Sequence, residues 1–243
     1  MQILVTGGAG FIGSHLVSKL VELEHDVIVL DSLRRGNKLD DHALKSIQFI
    51  EGDVRDEETV IAAAENCQLI FHFAAVLGVD DVADHPVETM EVESIGVRNV
   101  ARAAEIYGVN KIIYASTSGV YGKSAIEKAV IEDFDVSPKS SYAIAKRFNE
   151  IYLASLFEEK KIPSVSLRFF NVYGTKQDSR MVIPRFLEKA MNNEPLVVYG
   201  TGKQTRDFTY IDDVIEATIR LAQQTTESGI FNISAEREYS IKE

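Results

Sequence analysis

Over the first two-thirds of the chain, short apolar runs rich in β-branched residues alternate with longer amphipathic stretches. Gln2-Ile3-Leu4-Val5, Val27-Ile28-Val29-Leu30, Ile47 to Glu51, Leu69 to Ala75, Lys111 to Ala115 and Ser164 to Phe169 read as buried strands. Between them, helices are expected after Gly10 (with Phe11, Ile12, Leu16, Val17 and Leu20 on one side), over Glu57 to Glu65, over Val87 to Tyr107 and over Tyr142 to Lys160. Gly108 supplies a stop for the third of these. Near-continuous apolar strands alternating with helices imply a parallel sheet covered on both faces, a doubly wound α/β fold. In the last third, Phe186 to Asn192 reads as a helix and Pro195 to Tyr199 as a strand. Ile230 to Ser234 reads as a strand returning to the edge of the large sheet.

In such a sheet, ligands sit at the carboxyl ends of the strands. The first strand runs into Thr6-Gly7-Gly8-Ala9-Gly10-Phe11-Ile12-Gly13, followed by a helix, a second strand and Asp31. That is the order of a dinucleotide site. Gly7 suits a tight turn, Gly10 lets the main chain approach a pyrophosphate, and Gly13 lets the helix sit close on the sheet. The positive end of the helix then faces the phosphates. Asp31 is placed to accept bonds from the ribose hydroxyls, and its charge opposes a 2′-phosphate, so NAD is expected rather than NADP. Arg34 and Arg35 could instead serve such a phosphate, stack on the adenine or lie in a solvated loop.

The same logic picks out residues after the later strands. Asp53 could hold the adenine with Val54 as a wall, or could cap the next helix. Ala74 and Ala75 would let the chain pass close to a cofactor. His72, inside an apolar strand, reads as a core histidine rather than a base. Ser116 to Gly122 forms a hydroxyl-rich loop, and Tyr142 and Lys146 lie four apart on a helix, sharing a face. Tyrosine is a poor base at neutral pH, and a neighbouring ammonium favours its phenolate. Tyr107 and Lys111 have the same spacing, but Gly108 and Asn110 fall between them at a helix end.

The 243 residues, 45% hydrophobic and 26% charged, are ordinary for a globular chain. The formal charge of −11 argues against nucleic-acid or anionic-membrane partners. A single cysteine, Cys67, excludes an internal disulfide and suggests a reducing compartment. With neither a leader nor a membrane-length apolar run, a cytoplasmic protein is expected. No metal set is expected.

The chain resembles the extended short-chain dehydrogenase/reductase family, in its branch of nucleotide-sugar epimerases and dehydratases. The resemblance rests on the glycine motif, Asp31, Gly52-Asp53-Val54, His72-Phe73-Ala74-Ala75, and Thr117 with Val120-Tyr121-Gly122. It continues through Tyr142 to Lys146, Arg168 to Gly174, Gly200-Thr201-Gly202, and Arg206-Asp207-Phe208. It implies a Rossmann domain over 1–171 that binds NAD through Gly7, Gly10, Phe11, Ile12, Gly13, Asp31, Asp53, Val54, Ala74, Ala75, Tyr142 and Lys146. A small substrate lobe is implied over 172–228, and it looks truncated, since relatives continue for some tens of residues past Glu243. Tyr142 would be the catalytic base, Lys146 would hold the nicotinamide ribose, and Thr117 would bond the reacting sugar hydroxyl. Asn171 and Arg206 would contact a nucleotide-diphosphate sugar. Arg180 and Arg185 read as a solvated helix face. The long helices at 87–107 and 142–160 would pair into a homodimer. Glu93 stands where the family usually has asparagine.

Three reactions of this branch begin with oxidation at sugar C4. Dehydrating relatives carry an Asp-Glu pair after the threonine, and decarboxylating ones a Glu in its second position. Here those positions are Ser118 and Gly119. A 4-epimerase needs no such carboxylate, because the keto sugar turns over and takes the hydride back. Dehydration, decarboxylation and an inactive nucleotide-binding module are the alternatives.

Overall fold

The computed structural model describes residues 1–76, 79–123, 129–224 and 228–243. A seven-stranded parallel sheet runs in the order β3-β2-β1-β4-β5-β6-β9. Its strands are β1 (Gln2–Thr6), β2 (Asp26–Asp31), β3 (Ile47–Glu51), β4 (Leu69–His72), β5 (Lys111–Thr117), β6 (Ser164–Phe169) and β9 (Gly229–Ile233). The order reverses direction between β1 and β4, which opens a crevice at their carboxyl ends. As the hydrophobic pattern implies, this is a doubly wound Rossmann-like α/β fold, with β9 paired in parallel to β6 at the edge.

Helices cover both faces. On one side α1 (Phe11–Glu22) and α8 (Ile211–Gln224) bury Leu16, Val17, Leu20, Ile211, Val214 and Ile215 against the sheet. On the other, α3 (Glu57–Ala63), α5 (Pro86–Tyr107) and α6 (Ser141–Lys160) bury Val60, Val97, Val100, Ala104 and Leu153. Two short helices, α2 (Asp41–Ser46) and α4 (Val79–Asp84), complete this part. A second sheet of β7 (Asn171–Tyr173), β8 (Thr205–Tyr210) and β10 (Glu238–Ser240) has the order β10-β8-β7.

Two expectations in the last third need correction. Pro195 to Tyr199 is not a strand: the run is exposed and joins no ladder. Its β-prone side chains have no partner edge, and isolated strand propensity does not make a strand. The preceding helix, α7 (Val182–Met191), begins four residues before Phe186. Pro184 sits in its first turn, where a missing N–H costs nothing, so the proline does not mark the boundary. In the large sheet, β4 stops at His72 instead of Ala75, while β5 continues to Thr117.

Candidate functional site

The glycine turn is built so that side chains will not fit. Gly7 has φ +71°, and a Cβ there would lie 2.5 Å from the amide nitrogen of Ala74. A Cβ on Gly13 would lie 2.1 Å from the carbonyl oxygen of Gly7. Gly10 differs: the nearest atom to its missing Cβ is that same carbonyl at 3.2 Å, so its outer side is open. Gly10 also caps α1 without a side-chain bond, and no acidic residue occupies the first turn. The N–H groups there are left for an anion, as a pyrophosphate requires. Phe11 and Ile12 begin the helix and pack against the core. Gly13→Ala is therefore expected to push α1 off the loop and weaken NAD binding by at least tenfold, measurable by calorimetry.

Asp31 stands beside this turn at the end of β2. One carboxylate oxygen accepts the Ala9 N–H at 2.9 Å, the other the Leu33 N–H at 2.8 Å. Burial raises its carboxyl above the usual range, and these two N–H groups pull against that. The residue thus fixes the loop geometry from the position where a ribose would meet it.

Beyond β3, Asp53 accepts a fork from Arg55, with Nε at 3.0 Å and Nη2 at 2.6 Å, and that bond holds its carboxyl below the ordinary value. Asp56 caps α3, so capping is not the role of Asp53. Val54 is buried against Gly96, and Ala74 and Ala75 are half-buried after β4. Arg34 pairs with Glu88 at 2.7 Å. His72 is fully buried with Nδ1 2.7 Å from the Thr6 hydroxyl, and burial lowers it to about 3: a core histidine that stays neutral.

At the end of β5, Thr117 accepts the Gly119 N–H at 3.1 Å and caps a single 3₁₀ turn over Ser118–Tyr121. Its hydroxyl proton remains available to a ligand. Gly119 lies against Ala143, which brings this turn to the start of α6, where Ser140 caps the helix. Tyr142 follows, half-buried, and Lys146 comes one turn later, fully buried. The Lys146 Nζ donates to the Ala115 carbonyl at 2.7 Å and lies 5.4 Å from the Tyr142 ring centre. Burial and the nearby Glu93 carboxylate both push the Tyr142 phenol up. Tyr107 and Lys111 form no such pair: they belong to α5 and β5, and Lys111 donates to the Ala222 carbonyl at 2.7 Å.

The helical spacing that joins Tyr142 to Lys146 continues to Glu150, which the sequence reading passed over. Glu150 takes Arg168 from β6 through two bonds of 2.9 Å and the Ser116 hydroxyl at 2.6 Å. Arg168 also donates to the Tyr121 hydroxyl at 2.7 Å. This buried set fastens α6 to β5 and β6, and so sets where Tyr142 and Lys146 stand.

On the small sheet, Asn171 donates to the Asp207 carbonyl at 3.0 Å and Arg206 to the Thr205 carbonyl at 2.7 Å. Asn171 is on the edge strand β7 and Arg206 on the neighbouring central strand β8, so both belong to the small sheet. Arg185 stands on α7 and stacks over Tyr199, whereas Arg180 is not on a helix face as expected: it precedes α7 in a turn and is forked onto Asp178. Among the described residues no cluster of histidine, cysteine and carboxylates is placed to hold a metal.

The model of a family described as the NAD dependent epimerase/dehydratase family matches residues 3–234. A UDP-N-acetyl-alpha-D-glucosaminuronate decarboxylase of Bacillus cytotoxicus is 38% identical over the whole chain and 77% of its own length. A putative UDP-glucose 4-epimerase of Methanocaldococcus jannaschii is 35% identical over the whole chain and 79% of its length. The structure of UDP-glucose 4-epimerase from Thermotoga maritima with UDP-glucose superposes with a TM-score of 0.91 at 34% identity, covering all of this chain and 79% of that one.

Proposed function

The chain belongs to the NAD dependent epimerase/dehydratase family, and from that premise we propose that it is a nucleotide-sugar 4-epimerase. NAD is its cofactor, and the open side of Gly10 with the uncapped start of α1 fits the pyrophosphate. In this reading residues 1–171 hold NAD, and the lobe within 172–228 that takes the nucleotide-diphosphate sugar is α7 with the small sheet, since α8 from the same stretch packs beside α1 on the large sheet. When bound there, NAD would supply a reversible hydride acceptor for sugar C4.

The chain's own residues handle the rest. Thr117 orients the C4 hydroxyl. Tyr142 removes its proton and later restores it. Lys146 has three N–H groups, of which Ala115 and Glu93 take two, leaving one for the ribose. Arg206 and Asn171 contact the substrate, with the arginine suited to the diphosphate.

The observation that carries epimerisation over its relatives' chemistry is the 3₁₀ turn after Thr117. Ser118 and Gly119 fill the positions where an acid would serve dehydration or decarboxylation. The test is product analysis with UDP-glucose, UDP-galactose and UDP-glucuronic acid. Interconversion of the first two is expected. A 4-keto-6-deoxy sugar, or CO2 from the uronic acid, would overturn the choice.

We further propose a homodimer through α5 and α6. Ile144, Phe148 and Ile151 form an exposed apolar stripe along α6, with Met90 exposed on α5. Phe148→Glu is expected to halve the mass seen by light scattering. Among the described residues, no helix is long and apolar enough to cross a membrane.

A further inference from the structure

Beneath Tyr142 lies a second buried charge that the proposed chemistry leaves unused. Glu93 projects from the middle of α5 and is 0% exposed, as is Lys146. Its Oε2 lies 3.0 Å from the Lys146 Nζ. The same oxygen accepts from the Tyr114 hydroxyl at 3.2 Å and from the Asn149 side chain at 3.4 Å, while Asn149 also donates to the Glu93 carbonyl at 3.2 Å. The ammonium therefore has fixed acceptors on α5 and β5, and it sits 4.7 Å above the Tyr114 ring. The other carboxylate oxygen, Oε1, is buried and has no hydrogen-bond partner among the described residues.

We propose that Glu93 is a positioning residue for Lys146: its carboxylate clamps the ammonium between α5, β5 and α6 and shares the charge that would otherwise act on Tyr142 alone. The proposal rests on the reading of Tyr142 and Lys146 as the working pair.

The location of the shared proton does not alter the charge that Tyr142 meets. Burial raises the carboxyl of Glu93 and lowers the ammonium of Lys146, and their mutual attraction opposes both effects. With the proton on Lys146 the pair is an ion pair; with the proton on Glu93 both groups are neutral. Its net charge is zero either way. A lone buried ammonium would stabilise the phenolate strongly, and a neutral pair does so far less. Other charges facing the pair are few. Glu150 reaches Lys146 electrostatically but is itself neutralised by Arg168, and His72 on β4 is neutral. Tyr114 and Tyr142 are the remaining titratable groups against it. Glu93 is thus the charge that decides how much help Tyr142 receives.

The test is titration of the Tyr142 phenol by ultraviolet absorbance, with the Tyr142→Phe protein subtracted, in the native chain, Glu93→Gln and Glu93→Asp. In Glu93→Gln the step is expected to move down by about one pH unit or more, a tenfold change in proton affinity. Glu93→Asp retains the charge and should stay near the native step. A merely structural role would lower the melting temperature of both variants without moving the step, and that result overturns the proposal. If the variants do not fold, the native chain serves: NMR of the Glu93 carboxyl carbon and the Lys146 Nζ should show both nuclei responding at both of the pair's titration steps, and each nucleus responding only at a step of its own would refute the clamp. A shifted step with no turnover of nucleotide sugars upholds the clamp and rejects the epimerase. Turnover with an unmoved step does the reverse.

Discussion

Tyr142→Phe lowers interconversion of UDP-glucose and UDP-galactose by about 10²–10⁴-fold, the range typical for loss of a general acid–base group. The substitution removes one oxygen from a half-buried ring, and NAD affinity should stay within a few-fold of native. The effect belongs in kcat and not in binding, because the hydroxyl acts on a proton that moves only during reaction. Steady-state kinetics alongside calorimetric NAD binding separates the two. Equal losses in both would mean that Tyr142 holds the site together instead of acting in it. The pH dependence has a definite sign. Burial and Glu93 push the phenol up, so the deprotonated form is scarce at low pH and the rate should climb as pH rises through neutrality.

Arg168→Met is expected to cost about 3–5 kcal/mol of stability, or roughly 10 °C in melting temperature for a chain of this size. The loss comes from leaving the Glu150 carboxylate buried opposite an apolar side chain, with Ser116 and Arg147 as its remaining partners. Replacing both residues, Arg168→Met with Glu150→Leu, should recover most of the stability, since the buried charge goes with its partner. The double variant should still lose activity, because α6 is no longer fastened to β6 at the depth of Lys146. Burial alone would raise the Glu150 carboxyl, but Arg168, Ser116 and Arg147 outweigh it and hold it below the ordinary value. A lowered carboxyl stabilises the fold above its unfolded value, near pH 4.3, and that contribution disappears as pH falls through the native value. Thermal unfolding between pH 7 and pH 3 should therefore show native stability falling steeply in acid, and the double variant falling less.

The sheet and the glycine cradle were legible because their information is local. Gly13 answers to the Gly7 carbonyl within one turn and Gly7 to its own left-handed φ, although Ala74 after β4 also closes on it, and the strands announce themselves by unbroken apolar runs. His72 was legible for the same reason: an apolar strand leaves a histidine little choice but to be neutral and bonded to a neighbour. Asp53 was not, because its partner Arg55 and the rival cap Asp56 are all polar residues in one loop, and only geometry separates their roles. The run Pro195 to Tyr199 misled because strand propensity carries no record of whether a partner edge exists. α7 began early because a proline in a first turn looks the same in sequence as a proline that breaks a helix. Glu150, and the partner of Glu93, were hidden in another way, although Glu93 itself stood out as a departure from the family's asparagine. Each glutamate is an acid on a long helix, where a solvated face is the ordinary expectation. What makes them part of the site is burial against β5 and β6, a fact of packing that spans more than fifty residues for Glu93 and Lys146. The spacing Tyr142, Lys146, Glu150 did contain the clue, since three residues at four-residue intervals must share one face.

The most direct measurement of the central claim follows one atom. UDP-galactose carrying deuterium at C4 is incubated with the protein in ordinary water, and the UDP-glucose formed is examined by mass spectrometry. Hydride leaving and returning within one closed site predicts that the product keeps the deuterium at C4. Loss of the label to water, or UDP-galactose recovered unchanged from a protein that has bound NAD, would contradict the account.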